Sequence, residues 1–387
     1  MTTATSEKHS SVVEETLYVA FELSAKKWRL ASTIGLGQKP REKTIEPGNR
    51  LELQRELSRA RKRFGLDEQA RMVSCYEAGR DGFWVHRFLQ REGLDNAVVD
   101  SSSIEVSRRA RRAKADGPDA RQLCRMLVRY HNGEQKVWSV VRVPSLGEED
   151  ARQIHRELIS LKRSRTRRQN VIRSLLVAQG FRLQGGVDSS LGASLESLRN
   201  WDGKGLQKHL KARLYRELEH LALLERQVEL LEGERERALQ QPVTEPLQRV
   251  VQLMGLKGIG VNSAWIFEHE LFSWRKIRNG KQLGALAGLT PSPYQSGNSH
   301  REQGISKSGN RFVRSVAIEI AWMWVRYQPG SPLTRWYEQR FAGAGKRGRK
   351  VGIVAVARKL LIQLWRYRQW GVLPEGALLQ GEPPQPA

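Results

Sequence analysis

Thr16-Leu-Tyr-Val-Ala-Phe-Glu-Leu-Ser24 is an apolar run interrupted by one acid, and its reading decides the fold of the first third of the chain. A short, mostly apolar stretch with aromatic and β-branched side chains predicts a buried strand. Lys26 to Thr33 alternates well enough to be its hairpin partner, and Lys43 to Glu46 supplies a third strand. Residues 48–64 carry the pattern of a charged amphipathic helix. Met72-Val-Ser-Cys-Tyr-Glu-Ala-Gly79 predicts a strand ending on Glu77, followed by a helix near 82–92 and a short strand at Ala97-Val-Val-Asp100. An opening hairpin followed by alternating strands and helices implies a mixed α/β sheet with helices packed on its faces. An unpaired charge in a central strand is expensive, so Glu22 either reaches water at the strand end or has a chemical task. In such sheets ligand sites gather outside the carboxyl ends of the strands, where Glu77 falls.

Farther on, Lys114-Ala-Asp-Gly-Pro-Asp-Ala120 sets two carboxylates three residues apart, just before a stretch with a mixed basic and apolar face. Pro118 suits the first turn of a helix. Asp116 and Asp119 then share one side of the helix start. Two carboxylates that close repel unless a cation or a positive helix end compensates them. A divalent metal is one compensator, and a helix N-cap, with either Asp accepting from free backbone donors, is the other.

Bulk composition narrows the partner. The 387 residues allow two or three domains. Sixty-six Lys and Arg against 41 Asp and Glu leave a net charge of +25, which points to a polyanion, and arginine dominates the densest runs, as phosphate recognition favours. No apolar run approaches a spanning helix and the N-terminus has no signal-peptide core, so the expected location is the cytoplasm, beside the nucleic acid. Two cysteines, Cys75 and Cys124, argue against a disulfide framework, and no Cys/His spacing suggests zinc.

Glu105 to Asn170 holds 17 Lys/Arg and 8 Asp/Glu, with clusters at Arg108, Arg109, Arg111 and Arg112 and at Arg163, Arg165, Arg167 and Arg168, read as a phosphate-binding track. Residues 148–180 and 205–240 show leucines at helical period and predict two long helices of an antiparallel or intermolecular coiled coil, hence an oligomer. A further domain starts near Pro246. Leu253-Met-Gly-Leu-Lys-Gly-Ile-Gly260, leading into an apolar helix, has the pattern of a helix-hairpin-helix turn around Lys257. The polar stretch from Gln295 to Gly304 reads as a loop, either a turn or a phosphate-handling site, and continues through Lys307 to Arg311. Gln339 to Pro374 carries nine Lys/Arg and no acid, including Lys346, Arg347, Arg349 and Lys350.

Taken together, the acid in YVAFELSAKKW, the segment Cys75-Tyr-Glu-Ala-Gly79, the element KADGPDA and the stretch GLTPSPYQSGNSHREQGISKSGNRFVR resemble the DEDD-motif insertion-sequence transposases, the IS one-ten and IS one-one-one-one group, over almost the whole chain. The resemblance implies an RNase H/RuvC-like α/β domain at 16–145, a coiled-coil helical linker at 146–245 and a mostly helical C-terminal transposase domain at 246–372 with a serine loop, while the polar residues 1–15 and the end at 373–387 read from their composition as disordered tails. It implies that Glu22, Glu77, Asp116 and Asp119 are catalytic ligands of Mg²⁺ or Mn²⁺ and that Ser296, from the Ser-Gly pair, is a nucleophile. It also implies as partners the DNA of element ends and target, a structured guide RNA and a further copy in a dimer or tetramer, in a bacterial, nucleoid-associated setting. The nucleic-acid contacts expected with it extend the arginine clusters to Lys257, Arg301, Lys307, Arg311 and the 346–350 group. Glu22 stands where that family usually has Asp, and Ala115 where it has Thr; the extra methylene of Glu22 displaces the carboxylate, to which octahedral Mg²⁺ is sensitive.

The competing readings are a junction resolvase of related fold that uses water, and a non-catalytic nucleic-acid-binding relic. A tyrosine recombinase would need a His/Arg constellation around Tyr294, Tyr327 or Tyr337, and none is recognisable.

Overall fold

The computed structural model describes residues 15–104, 119–296 and 299–381, and at 102, 293–296 and 299–303 the backbone alone. Asp116 and the cluster Arg108, Arg109, Arg111 and Arg112 lie outside the described residues. The chain divides into two compact units, Met1–Pro144 and Ser145–Ala387.

The first unit is built on a five-stranded mixed sheet in the order β3-β2-β1-β4-β5. Strands β1 (Thr16–Leu23), β2 (Trp28–Thr33) and β3 (Arg41–Ile45) form an antiparallel meander. Helix α1 (Arg50–Phe64) then leads to β4 (Arg71–Glu77), which pairs parallel to β1, and α2 (Trp84–Arg91) leads to β5 (Asp95–Val99), parallel to β4. Asn49 caps α1 by accepting from Glu52 N, and Gly65, at φ 68°, ends it in the left-handed conformation that glycine adopts without strain. Alternation along the strands sorts their side chains into two layers. Leu17, Val19, Phe21 and Tyr76 pack on the side of α1 and α2. Ala20, Val73 and Cys75 pack on the other side, against α3 (Ala120–His131) through Leu123, Cys124 and Leu127.

The second unit begins with α4 (Leu146–Asp150), followed by α5 (Gln153–Ala178), a 3₁₀ turn at Ser189–Ser197 and α6 (Lys208–Gln240). The long helices run antiparallel within one chain: Lys162 pairs with Glu232 while Arg168 pairs with Glu217, and Ile172 and Leu176 pack with Leu214, Leu218 and Leu221. At about 1.5 Å per residue they extend roughly 39 and 50 Å. Helices α7 (Glu245–Met254) and α8 (Val261–Phe267), a π-helical turn at Glu268–Phe272 and α9 (Gly280–Leu286) precede strands β6 (Pro291–Ser296) and β7 (Ser299–Ile305). Helices α10 (Arg311–Tyr327), α11 (Pro332–Phe341) and α12 (Lys346–Trp370) close a core around Phe267, Trp324, Val356 and Leu360.

Two segments differ from the sequence reading. The stretch after Pro291 is an antiparallel β-hairpin rather than a loop. Pro291 and Pro293 remove backbone donors and the strands carry few apolar side chains, so the usual strand signal is missing. Residues 373–381, assigned to the tail, dock on the second unit: Leu378 is buried, Lys257 N donates to Leu378 O and Gln328 brackets Leu378 from both sides. Two consecutive leucines give this Pro- and Gly-rich end something to bury.

Candidate active site

The parallel register of β1 and β4 pairs Phe21 with Tyr76, so the next residues, Glu22 and Glu77, fall side by side at the carboxyl ends of neighbouring strands. Both line a cleft of about 530 Å³, with Arg80, Asp81 and Leu123. By parity with Ala20 and Cys75, both acids belong to the sheet face covered by α3. Glu22 is not the isolated charge expected from the sequence. It stands opposite Arg29 on β2, whose NH1 lies 3.6 Å from Oε2, and the two side chains are 37% and 52% exposed. Oε2 itself is buried and accepts no hydrogen bond. Asp81 adds a third acid that the sequence reading missed; Arg80 lies 3.7 Å from it.

Asp119 takes the capping alternative. Its Oδ1 accepts from Gln122 N at 2.8 Å and it is the N-cap of α3. Leu123, one turn farther along, reaches the cleft, so Asp119 belongs to the helix end on that side. Of the four acids expected to share a metal, the structure brings Glu22 and Glu77 into one cleft. Among the described residues no group of three or more His, Cys, Asp or Glu side chains is assembled to hold a metal ion. Cys75 and Cys124 lie beneath the same face; burial pushes the Cys75 thiol well up and the Cys124 thiol to about 12, so neither is a ready nucleophile.

In the second unit Ser296 is the last residue of β6 and pairs with Ser299. The base of this hairpin is tightly held. Ser306 N donates to Thr290 O, and Lys307, at φ 58°, donates through its backbone to Gly288 O. A Cβ on Gly309 would collide with Leu286 O and Gly288 N, which is why glycine is required there. Asn310 follows, capping α10 by accepting from Phe312 N and Val313 N.

Beside that cap lies a groove of about 310 Å³ lined by Arg156, Arg163 and Arg167 of α5 and by Arg311 and Phe312 of α10. Three of these cations were legible in the sequence; Arg156 was not. Behind the groove, Glu270 is 1% exposed. Its Oε1 accepts from His155 Nε2 (2.8 Å) and Arg156 Nε (2.6 Å), and its Oε2 from Arg156 NH2 (2.9 Å) and Asn310 Nδ2 (2.8 Å). Burial alone would raise its pKa, but the hydrogen bonds from His155 and Arg156 hold it below the usual carboxylate range.

The remaining basic candidates divide. Arg168 is engaged by Glu217 at 2.6 Å, and Arg165 keeps a buried Nε without a hydrogen bond. Lys346, Arg347, Arg349 and Lys350 occupy the start of α12, where no acid stands in the first turn and Gly345 provides no side-chain cap. Cations at the positive end of a helix are unfavourable until an anion joins them. Tyr337 is buried and stacked on Phe341, a core aromatic rather than a nucleophile.

Residues 251–335 match the model of the Transposase IS116/IS110/IS902 family. A Sinorhizobium fredii protein named as transposase y4rJ is 39% identical over 383 residues, covering 94% of either chain. The chain belongs to this transposase family. The transposase is also 29% identical over 259 residues to a Pseudomonas aeruginosa protein named as a family 20 transposase, covering 65% of this chain and 71% of the relative. It is 26% identical over 216 residues to the Yersinia enterocolitica transposase for insertion sequence element IS1328, covering 55% and 60%. The family match takes in the serine hairpin, and no helix of the described transposase is long and apolar enough to cross a membrane.

Proposed function

We propose that this transposase moves an insertion sequence by cutting and rejoining DNA with cation-bound carboxylates and a serine nucleophile, on an N-terminal sheet of RNase H/RuvC-like type. The observation that carries the reading is the pairing of Glu22 and Glu77 at adjacent carboxyl ends, with a buried Glu22 oxygen that accepts no hydrogen bond. Two like charges and an unsatisfied oxygen donor fit a hard divalent cation. The strand order, with parallel pairing of β1, β4 and β5 beside an antiparallel meander, supports the fold assignment.

Glu22, Glu77, Asp116 and the Asp119 carboxylate oxygen not used to cap α3 would hold Mg²⁺ or Mn²⁺, which when bound neutralises charge on the scissile phosphate. Ser296 Oγ attacks phosphorus; the Oγ–P bond forms as the bond to a deoxyribose oxygen breaks, the serine proton passes to a base and the freed oxygen takes up a proton. The phosphodiester energy stays in the protein–DNA bond for rejoining. The net charge of +25 accommodates a structured guide RNA beside element and target DNA, and further copies of the chain complete the assembly in the bacterial cytoplasm, at the nucleoid.

The test mixes protein, Mg²⁺, element ends and flanking RNA and looks for a covalent adduct on a denaturing gel. Adduct absent with Ser296→Ala and reduced at least about a hundredfold with Glu77→Ala supports the scheme, as expected for loss of a ligand. Equal adduct in both variants rejects it, and strand cutting that survives Ser296→Ala returns the water-using resolvase.

A further inference from the structure

We infer that the groove between α5 and the start of α10 is a docking site for a phosphodiester backbone, and that Glu270 is the positioning residue that sets its geometry. This rests on the nucleic-acid-handling reading above but on different residues from its chemistry. Arg163 and Arg167 follow one another by one turn of α5, are exposed, and meet no carboxylate among the described residues. Arg311 faces them from α10, its guanidinium 4.9 Å from the centroid of Phe312. Three cations converging without an acid repel one another, and an anion in the groove relieves that repulsion.

The fourth, Arg156, is held differently. Both its Nε and NH2 donate to Glu270, a fork that fixes the plane of the guanidinium, while its other face lies 5.8 Å from Phe312. Glu270 also takes the Asn310 amide, and Asn310 caps the helix on which Arg311 and Phe312 stand. One buried carboxylate thereby ties together the two walls of the groove and the residue that follows the hairpin base. Its location in a π-helical turn is consistent with a functional demand on that backbone. The ligand chemistry is a run of phosphates: planar arginine forks, no acceptor among the charged groups, and an open groove rather than an enclosed pocket.

The experiment measures binding of fluorescein-labelled oligodeoxythymidine, which offers phosphates with minimal base identity, across a salt series. Arg163→Gln with Arg167→Gln lowers the slope of log K against log salt by about 1.4, two single-strand contacts at about 0.7 each. The exposed pair Arg55→Gln with Arg59→Gln, at the same spacing on α1, leaves it unchanged. Arg156→Lys and Glu270→Gln each weaken binding roughly tenfold at unchanged slope, because charge count is kept or the lost charge is buried while the fork is broken. Kd is read on protein shown folded by its melting curve, so a Glu270 with a purely structural role would lower Tm and leave Kd in place. Equal slope loss in the α1 pair, no slope loss in the α5 pair, or unchanged Kd in both fork variants overturns the inference. Absence of a DNA adduct together with the expected slopes refutes the proposed chemistry and leaves the groove standing; adduct with unaltered slopes does the reverse.

Discussion

The transposase holds glutamates in two opposite ways, half-open beside one another at strand ends and sealed among hydrogen-bond donors, and the contrast lies in how far each carboxylate's charge is compensated. In the first unit Glu22 and Glu77 stand together at strand ends, with one half-exposed arginine 3.6 Å away and an oxygen that accepts nothing. In the second, Glu270 is sealed from solvent and four hydrogen bonds fill both of its oxygens. Like charges left partly uncompensated repel one another, whereas a fully compensated carboxylate has its free energy already committed to neighbouring side chains.

The largest expected effect follows from that difference. Glu270→Ala strands Arg156 and His155 and destabilises the second unit by about 3–5 kcal/mol, while Glu22→Ala changes stability by under about 1 kcal/mol. Urea unfolding of both variants checks this, and equal losses would erase the contrast. Next in size is an acid effect at His269, whose Nε2 is buried without a hydrogen bond and whose ring lies 4.8 Å from Trp265. Burial, helped by the nearby His155, lowers its pKa from 6.5 to about 4. Between those values the unfolded chain binds a proton that the folded chain refuses, so stability falls as pH drops through that window, by about 3 kcal/mol in total. Glu270, with its depressed pKa, adds a further loss only below the ordinary carboxylate range, near pH 4. His269→Phe makes the decline of Tm between pH 6.5 and 5 shallower, the remainder belonging to His86 and His131, whose pKa values burial also lowers; a decline unchanged in the variant assigns it to other groups. The smallest effect belongs to Arg29→Ala, under about 1 kcal/mol because the pair is screened by water. A larger loss would make Glu22 a structural ion-pair partner and bring the two regions together.

How much could be read beforehand depended on the range of the interactions. Strands β1, β2, β4 and β5 lie within about two residues of their expected limits, because each is a local apolar run bounded by charge or glycine. Asp119 was legible as a cap for the same reason: its partner, Gln122 N, is three residues away. The β6–β7 hairpin was not, since its prolines and polar side chains mimic a loop and its pairing is fixed by the backbone and by the Gly309 packing beneath it. Glu270 carried no local signal at all; Arg156 is 114 residues away in the chain.

By itself the sequence determined the polyanion-seeking charge, the alternation that makes a mixed sheet, the acids at strand ends and the family to which their motifs belong, all properties of composition or of neighbours along the chain. Only the tertiary structure decided that Glu22 faces Arg29, that the tail leucines dock, and that four arginines from two helices share a groove braced by one carboxylate. Those outcomes depend on which distant segments the cores bring within hydrogen-bonding reach, a short-range condition in space that spacing along the chain does not encode.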